Sequence, residues 1–295
     1  MTGNYIIFHQ NILLKLYYKI HFFTVFDIKT GSFYVTFFLV FMLILFYNYI
    51  ICATVYPHPK GELISGILKE RRGFMLLENI RKDIVEYSRR LITSGLTVGT
   101  GGNISVFDPD TGLFAITPSG VDYFQMEVCD IVVCDLQGKI VEGVRKPSSE
   151  TELHRIFYER RPDIHAVVHA HSTYCTVLAT NRMELPASSY LVAFAGKNVR
   201  CGEYASFGTK ELAEKTFAAM EDRNAALMAN HGLITGADSL LRAFDIAQQI
   251  EFCAKVYVKA LSIGKPFILD DREMERMSER FSSYGQQPAG DSGKA

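Results

Sequence analysis

The chain has six cysteines, at positions 52, 129, 134, 175, 201 and 253, but lacks any CxxC pair and any spacing that suggests a disulfide framework. Buried thiols in a reducing compartment are therefore expected, with no disulfides. Cys175 lies four residues after His171, but no activating base for a catalytic thiol is identifiable, so packing is the expected role. An excess of one charge is also missing: 31 Lys and Arg stand against 32 Asp and Glu, for a net charge of -1. Without a long basic cluster beyond the amino-terminal segment there is no electrostatic footprint for nucleic acid, and small polar partners fit better. Between Thr30 and Pro57 there is no charged residue at all.

That uncharged stretch matters because residues 33–55 are long enough to cross a bilayer as one helix. A cleaved signal peptide fits poorly, since no A-x-A-like site follows and some 30 residues precede the apolar run. Lys15, Lys19 and Lys29 lie before it and Lys60, Lys69, Arg71 and Arg72 after it, so charge asymmetry sets no orientation. Met75 opens MLLENIRKDIVEYSRRLITSGL, in which Leu77, Ile80, Ile84 and Leu91 recur at helical spacing. An over-extended start is favoured over a real anchor. In either case the expected division is an extension at 1–74, a functional domain at 75–285 and a flexible tail at 286–295. The corresponding location is cytoplasmic, or membrane-anchored through 33–55.

The 295 residues, 48% hydrophobic, allow a substantial core. After a first helix ending near Ser94-Gly95, Gly99-Thr100-Gly101-Gly102-Asn103 forms a glycine-rich turn whose N-H groups suit phosphate oxygens. Strands are expected from Ile104, at 113–117, at 131–135 and at 225–229, with a tight Pro118-Ser119-Gly120 turn after the second. Pro147-Ser148-Ser149-Glu150 precedes a helix of about ten residues, and Ser149 with Glu152 fits a capping box. The same helix N-terminus attracts a phosphate dianion. A long helix over 239–261 carries Leu241, Phe244, Ile250 and Val256 as its expected packed face. Together these elements describe an α/β domain.

The segment from Lys146 to Ser172 brings a serine pair, Glu150 and a His-x-His pair within 27 residues. His169 and His171 end a short expected strand, so both imidazoles leave one face and can share one cation. His231, in Asn230-His231-Gly232, follows another strand at a turn that aims it into a cleft. Three histidines and a carboxylate suit a borderline-soft divalent ion, zinc above all, in a catalytic site. Glu150, in or near the first helical turn, is either a dipole partner or a base beside the cation. His154 and His165 are read as hydrogen-bonded core residues.

GTGGNIS, ITPSG, KPSSE, VVHAHS, YASFGT and ANHGLI follow in the order and approximate spacing of class II sugar-phosphate aldolases, the L-fuculose-phosphate aldolase group of the aldolase/adducin-head fold. Residues 75–285 resemble that family. The resemblance implies an α/β fold with a mostly antiparallel central sheet flanked by helices, assembled as a homotetramer with active sites at subunit contacts. It implies one zinc ion per subunit on Glu150, His169, His171 and His231, and a substrate phosphate held by Gly102, Asn103, Ser119, Gly120, Ser148 and Ser149. Tyr190, Phe207 and Tyr284 would handle the aldehyde, with Tyr190 as proton donor; their plain reading is packing. The implied reaction is reversible cleavage of L-fuculose 1-phosphate to dihydroxyacetone phosphate and L-lactaldehyde. Zinc would serve as Lewis acid, Glu150 would move the C3 proton, and no Schiff-base lysine is needed. A ribulose-phosphate 4-epimerase usually carries SSD where this chain has SSE. A methylthioribulose-phosphate dehydratase, or an aldolase for a related deoxy sugar, is a closer rival. An adducin-like binding module would not need all four metal positions filled.

Overall fold

Alternation of apolar residues along the strands sends side chains to two separate cores, and that requirement sets the layers. The computed structural model describes residues 75–282. The uncharged span at 33–55, Tyr284 and the 286–295 tail lie outside the described residues. Among the described residues no helix is long and apolar enough to cross a membrane.

Helix α1 (Glu78–Thr93) is followed by β1 (Asn103–Asp108), β2 (Leu113–Ile116), β3 (Val132–Asp135) and β4 (Ile140–Glu142). Then come α2 (Thr151–Arg160), β5 (Ala166–Ala170), α3 (Thr173–Thr180) and a short 3-10 turn at Tyr190–Phe194. The chain continues through β6 (Cys201–Gly202), α4 (Lys210–Ala219), β7 (Ala225–Met228), β8 (Gly232–Ala237), α5 (Leu240–Leu261) and α6 (Asp271–Ser282). The eight strands form one sheet in the order β4-β3-β2-β1-β5-β8-β7-β6. Every neighbouring pair is antiparallel except β6 with β7, as the mostly antiparallel expectation requires.

On one face Ala115, Val133, Val168, Leu227 and Leu233 pack with residues of α1, α3 and α5. On the other, Phe114, Ile116, Val132, Val167 and Ala226 pack with Leu153, Ile156 and Phe157 of α2 and Leu212 of α4. Neighbouring residues in β2, β3 and β7 thus serve opposite cores, the period-two signature of a sheet covered on both sides.

Two expected details differ. In α5, Phe244 and Ile250 are buried, but Leu241 and Val256 are exposed; the packed stripe instead runs through Leu240, Ala243, Phe244, Ala247, Ile250 and Ala254. Leu241 stands one residue, about 100° of helix rotation, from Leu240 and so faces outward. The Ser149–Glu152 capping box does not form. The N-cap of α2 is Glu150, the Ser148 hydroxyl accepts from the Glu150 N-H at 3.2 Å, and Glu152 pairs with Arg155. The Glu150 side chain makes no capping bond, and its carboxylate turns instead to Asn103 of β1 and His169 of β5.

Candidate metal centre and active site

Antiparallel pairing of β5 with β8 puts Ala170 opposite Leu233, so His171 just past one strand meets His231 just before the other. Gly232 permits this approach: a Cβ there would lie 2.5 Å from the Ala170 carbonyl oxygen and 3.2 Å from His171 Cδ2. Asn230 adopts a left-handed φ of 55°, turning the chain so that His231 points inward. His169 and His171 Nε2 atoms stand 3.0 Å apart, and one ligand atom from each of His169, His171 and His231 lies within 4.8 Å of the others.

His169 Nδ1 donates to the Leu233 carbonyl at 2.8 Å. This bond fixes the tautomer and leaves the Nε2 lone pair facing its neighbours, the arrangement expected of a metal-binding histidine. Burial pushes the His169 imidazole down to about 3 and also lowers His171, so both are neutral near pH 7, the form a metal ion requires.

Glu150 completes the cluster, with Oε2 at 3.3 Å from His169 Nε2 and Oε1 at 3.5 Å from His231 Nε2. Burial works to raise its pKa, but His169, His231 and the Asn103 amide together hold it below the ordinary carboxylate value. Asn103 Nδ2 donates to Oε2 at 2.9 Å, and β1–β5 pairing places Asn103 directly opposite His169. Oε1 is buried with no hydrogen-bond partner. A carboxylate oxygen left in that state costs free energy unless a cation or proton meets it. Three clustered imidazoles and an orphaned carboxylate oxygen therefore fit a divalent metal ion well.

A cleft of about 370 Å³ opens over this cluster. Its wall includes Gly102, Asn103, Ser119, Gly120, Ser148, Ser149, Glu150, His171, Phe207 and His231, so most residues expected at the site converge on one space. Pro118 and Pro147 form an antiparallel bridge, flanked by Ser119 N-H to Lys146 O and Ser148 N-H to Thr117 O, each 3.0 Å. The two distant turns, ITPSG and KPSSE, thus form one rim. None of the described residues lining the cleft is Lys or Arg, which leaves hydroxyls, backbone N-H groups and the α2 N-terminus as the anion-attracting features. Gly102 sits at φ 75°, where a Cβ would lie 2.6 Å from the His169 carbonyl oxygen. Gly102→Ala should therefore destabilise the fold by about 1–3 kcal/mol, measured by urea unfolding.

The profile of the Class II Aldolase and Adducin N-terminal domain matches residues 82–258. The chain belongs to the class II aldolase and adducin family. It is 52% identical to the 5-deoxy-D-ribulose 1-phosphate aldolase of Bacillus thuringiensis serovar kurstaki over 213 residues, 72% of this chain and 100% of the relative. It is 38% identical to the L-fuculose phosphate aldolase of Escherichia coli, covering 70% of this chain and 95% of that protein. A solved L-fuculose 1-phosphate aldolase shares 51% identity and a TM-score of 0.69, over 70% of this chain and 98% of that one. The aldolase fold is thus shared, and the chain is a lyase of the metal-dependent class.

Within this aldolase domain Tyr190 stands apart from the others. It is 52% exposed, stacks on Phe281 with ring centroids 6.2 Å apart, and does not line the cleft. Cys175 is fully buried and its thiol is pushed well up by burial, in keeping with a packing role. Two residues near the cleft carried no signal in the sequence. The Tyr123 hydroxyl donates toward the Gly102 carbonyl at 2.7 Å, bracing the glycine turn; a lone tyrosine in a loop does not announce that contact. Glu251 of α5 accepts from the Tyr174 and Cys175 N-H groups, both at 2.9 Å, capping α3 immediately after His171. Its partners lie about 75 residues away in sequence, beyond the reach of a local capping pattern.

Proposed function

We propose that the chain cleaves a ketose 1-phosphate reversibly between C3 and C4, giving dihydroxyacetone phosphate and a short aldehyde, with 5-deoxyribulose 1-phosphate as the preferred substrate. The observation that carries this reading is the convergence of His169, His171, His231 and Glu150 at the base of a cleft rimmed by hydroxyls and backbone N-H groups. His169, His171, His231 and Glu150 would hold one zinc ion. When bound, that ion supplies a Lewis acid for the carbonyl at C2.

Ser119, Gly120, Ser148 and Ser149, with the Gly102-Asn103 turn, receive the phosphate and set the distance from it to the reacting carbons. In cleavage the C4 hydroxyl passes its proton to Tyr190 and C4 becomes the aldehyde carbon. The electron pair of the C3–C4 bond passes toward C2, and Glu150 delivers a proton to C3; in synthesis Glu150 removes it. In synthesis Tyr190 is the proton donor to the aldehyde oxygen, returning the proton it takes in cleavage. Because Tyr190 does not line this cleft, that role requires a neighbouring copy of the chain, in keeping with a homotetramer whose sites form at subunit contacts. Phe207 and Tyr284 complete the aldehyde side.

The preference among sugars turns on the fragment beyond C3. A five-carbon 5-deoxy ketose releases acetaldehyde, whereas L-fuculose 1-phosphate releases lactaldehyde with one more carbon and one more hydroxyl. The 52% identity to a 5-deoxy-D-ribulose 1-phosphate aldolase, against 38% to an L-fuculose phosphate aldolase, favours the smaller fragment. A second reading, 5-methylthioribulose 1-phosphate, is supported by 44% identity to a bifunctional aldolase of Rhodospirillum rubrum named for both sugars. The purified protein should be assayed with all three ketose 1-phosphates, with and without chelator. The expected result is chelator-sensitive release of dihydroxyacetone phosphate, with kcat/KM about 10-fold or more higher for 5-deoxyribulose 1-phosphate than for L-fuculose 1-phosphate, the scale set by one misfitted carbon. Higher kcat/KM for L-fuculose 1-phosphate would reverse the preference, and no cleavage of any of them would end the aldolase assignment.

A further inference from the structure

Behind Glu150 runs a buried line of side chains, of which Tyr158, Ser105 and His154 take no part in the proposed chemistry. The Tyr158 hydroxyl lies 2.5 Å from Ser105 Oγ, and Ser105 Oγ lies 2.7 Å from His154 Nδ1. His154 Nε2 stands 2.5 Å from Asn103 Oδ1, and Asn103 Nδ2 donates to Glu150 Oε2 at 2.9 Å. His154 and Ser105 are fully buried, and Asn103, Glu150 and Tyr158 nearly so.

The direction of every link follows from the carboxylate end. A carboxylate only accepts, so Asn103 turns its NH2 to Glu150 and its carbonyl to His154. A carbonyl only accepts, so His154 Nε2 carries the proton. Burial pushes the His154 imidazole down to about 4; it is neutral at pH 7, so Nδ1 is bare and the Ser105 hydroxyl donates to it. With that proton committed, Tyr158 donates to Ser105. All four donors point toward the active-site carboxylate, an arrangement in which each bond polarises the next.

We propose that His154 is a positioning residue that acts through Asn103 to fix which Glu150 oxygen is held and which is free. A side-chain amide alone can flip and present its carbonyl to the carboxylate. The His154 Nε2-H opposes the flip, because the turned amide would set N-H against N-H. Oε2 therefore keeps its donor, and Oε1, which has no hydrogen-bond partner, is the oxygen left for a cation or a proton. This inference rests on the assignment of Glu150 to the active site. The role belongs to His154 specifically, a residue whose sequence context suggested only a hydrogen-bonded core histidine.

The test begins with the metal-free protein, where 15N spectra of the ring should show His154 protonated at Nε2 and bare at Nδ1. An Nδ1-H tautomer would overturn the proposal whatever the variants do. His154→Leu removes the donor, whereas His154→Gln can offer an amide N-H near the former Nε2. The leucine variant should lose about 10–100-fold in kcat and in affinity for Zn2+ titrated into the metal-free protein, the usual range for a residue one step behind a ligand. Its KM should stay within about 2-fold, because the serine rim and the backbone N-H groups of the glycine turn that meet the phosphate are unchanged. His154→Gln should recover most of the loss. Equal impairment in both variants would show a packing role instead, and wild-type kcat and Zn2+ affinity in His154→Leu would show no role. If His154→Leu fails to fold, Ser105→Ala should leave His154 protonated at Nε2, because the Asn103 carbonyl alone holds that proton; a switch to the Nδ1-H tautomer there counts against the proposal. Failure of the Glu150 assignment reads differently, since Glu150→Gln would then keep normal activity.

Discussion

Glu150→Gln is expected to retain at least part of its zinc while exchange of the C3 proton of dihydroxyacetone phosphate with solvent slows by about two to four orders of magnitude, the usual range for losing a general base. The substitution keeps the size and one oxygen, and the Asn103 amide can still donate to it. Tyr190→Phe should divide the same steps differently, keeping C3 exchange while slowing carbon-carbon cleavage, because only the donor to the aldehyde is removed. Solvent deuterium incorporation into dihydroxyacetone phosphate, followed beside the cleavage rate, separates the two. Normal exchange in Glu150→Gln would remove Glu150 as the base, and equal loss of exchange in both variants would contradict the division of roles.

The other large effect concerns the ligand set. His169→Ala should lower zinc affinity by more than the roughly 10–100-fold typical of residues behind the ligands, with cleavage activity falling in step. His169 is fully buried and its imidazole is bonded to the Leu233 carbonyl, so some loss of stability is also expected. Circular dichroism should nevertheless show the secondary structure intact, since the strand pairing is made by the backbone. Metal content of the purified variant by mass spectrometry gives the answer. Near-stoichiometric zinc in a His169→Ala/His171→Ala double variant would show that the metal sits elsewhere.

The strands around the site were legible because their composition and period agree: β2, β3 and β7 fall within a residue of the ranges read from apolar runs and flanking turns. The His-x-His pair and Asn-His-Gly were legible for a similar reason, since imidazoles at strand ends, beside apolar neighbours, call for a shared partner. Glu150 was harder. Its spacing allowed a dipole partner as readily as an active-site carboxylate, and the expected capping box misplaced the helix start by one residue. What decided its direction was the Ser148 hydroxyl bond to its N-H and the Asn103 amide brought in from β1, contacts across 2 and 47 residues of sequence. Leu241 failed because a helical stripe read from large residues alone overlooks alanines; Ala243, Ala247 and Ala254 hold the packed face where α5 lies close to the sheet. The line from Tyr158 to Glu150 was invisible for a different reason. Each of its residues has an ordinary core or surface reading, and only β1–β5 pairing together with the docking of α2 aligns them.

The bridge between Pro118 and Pro147 has a consequence for how the cleft meets its ligand. Proline has no N-H, and both prolines occupy positions where the ladder requires none, while Ser119 and Ser148 close the bridge with their own amides. The rim is therefore preorganised: little conformational freedom remains there for a ligand to freeze, and less of its binding free energy is spent on ordering loops. Those two serine amides should be slow to exchange with deuterated water before any sugar is added. Free inorganic phosphate and dihydroxyacetone phosphate would meet the same rim as the intact substrate, so both should compete with it.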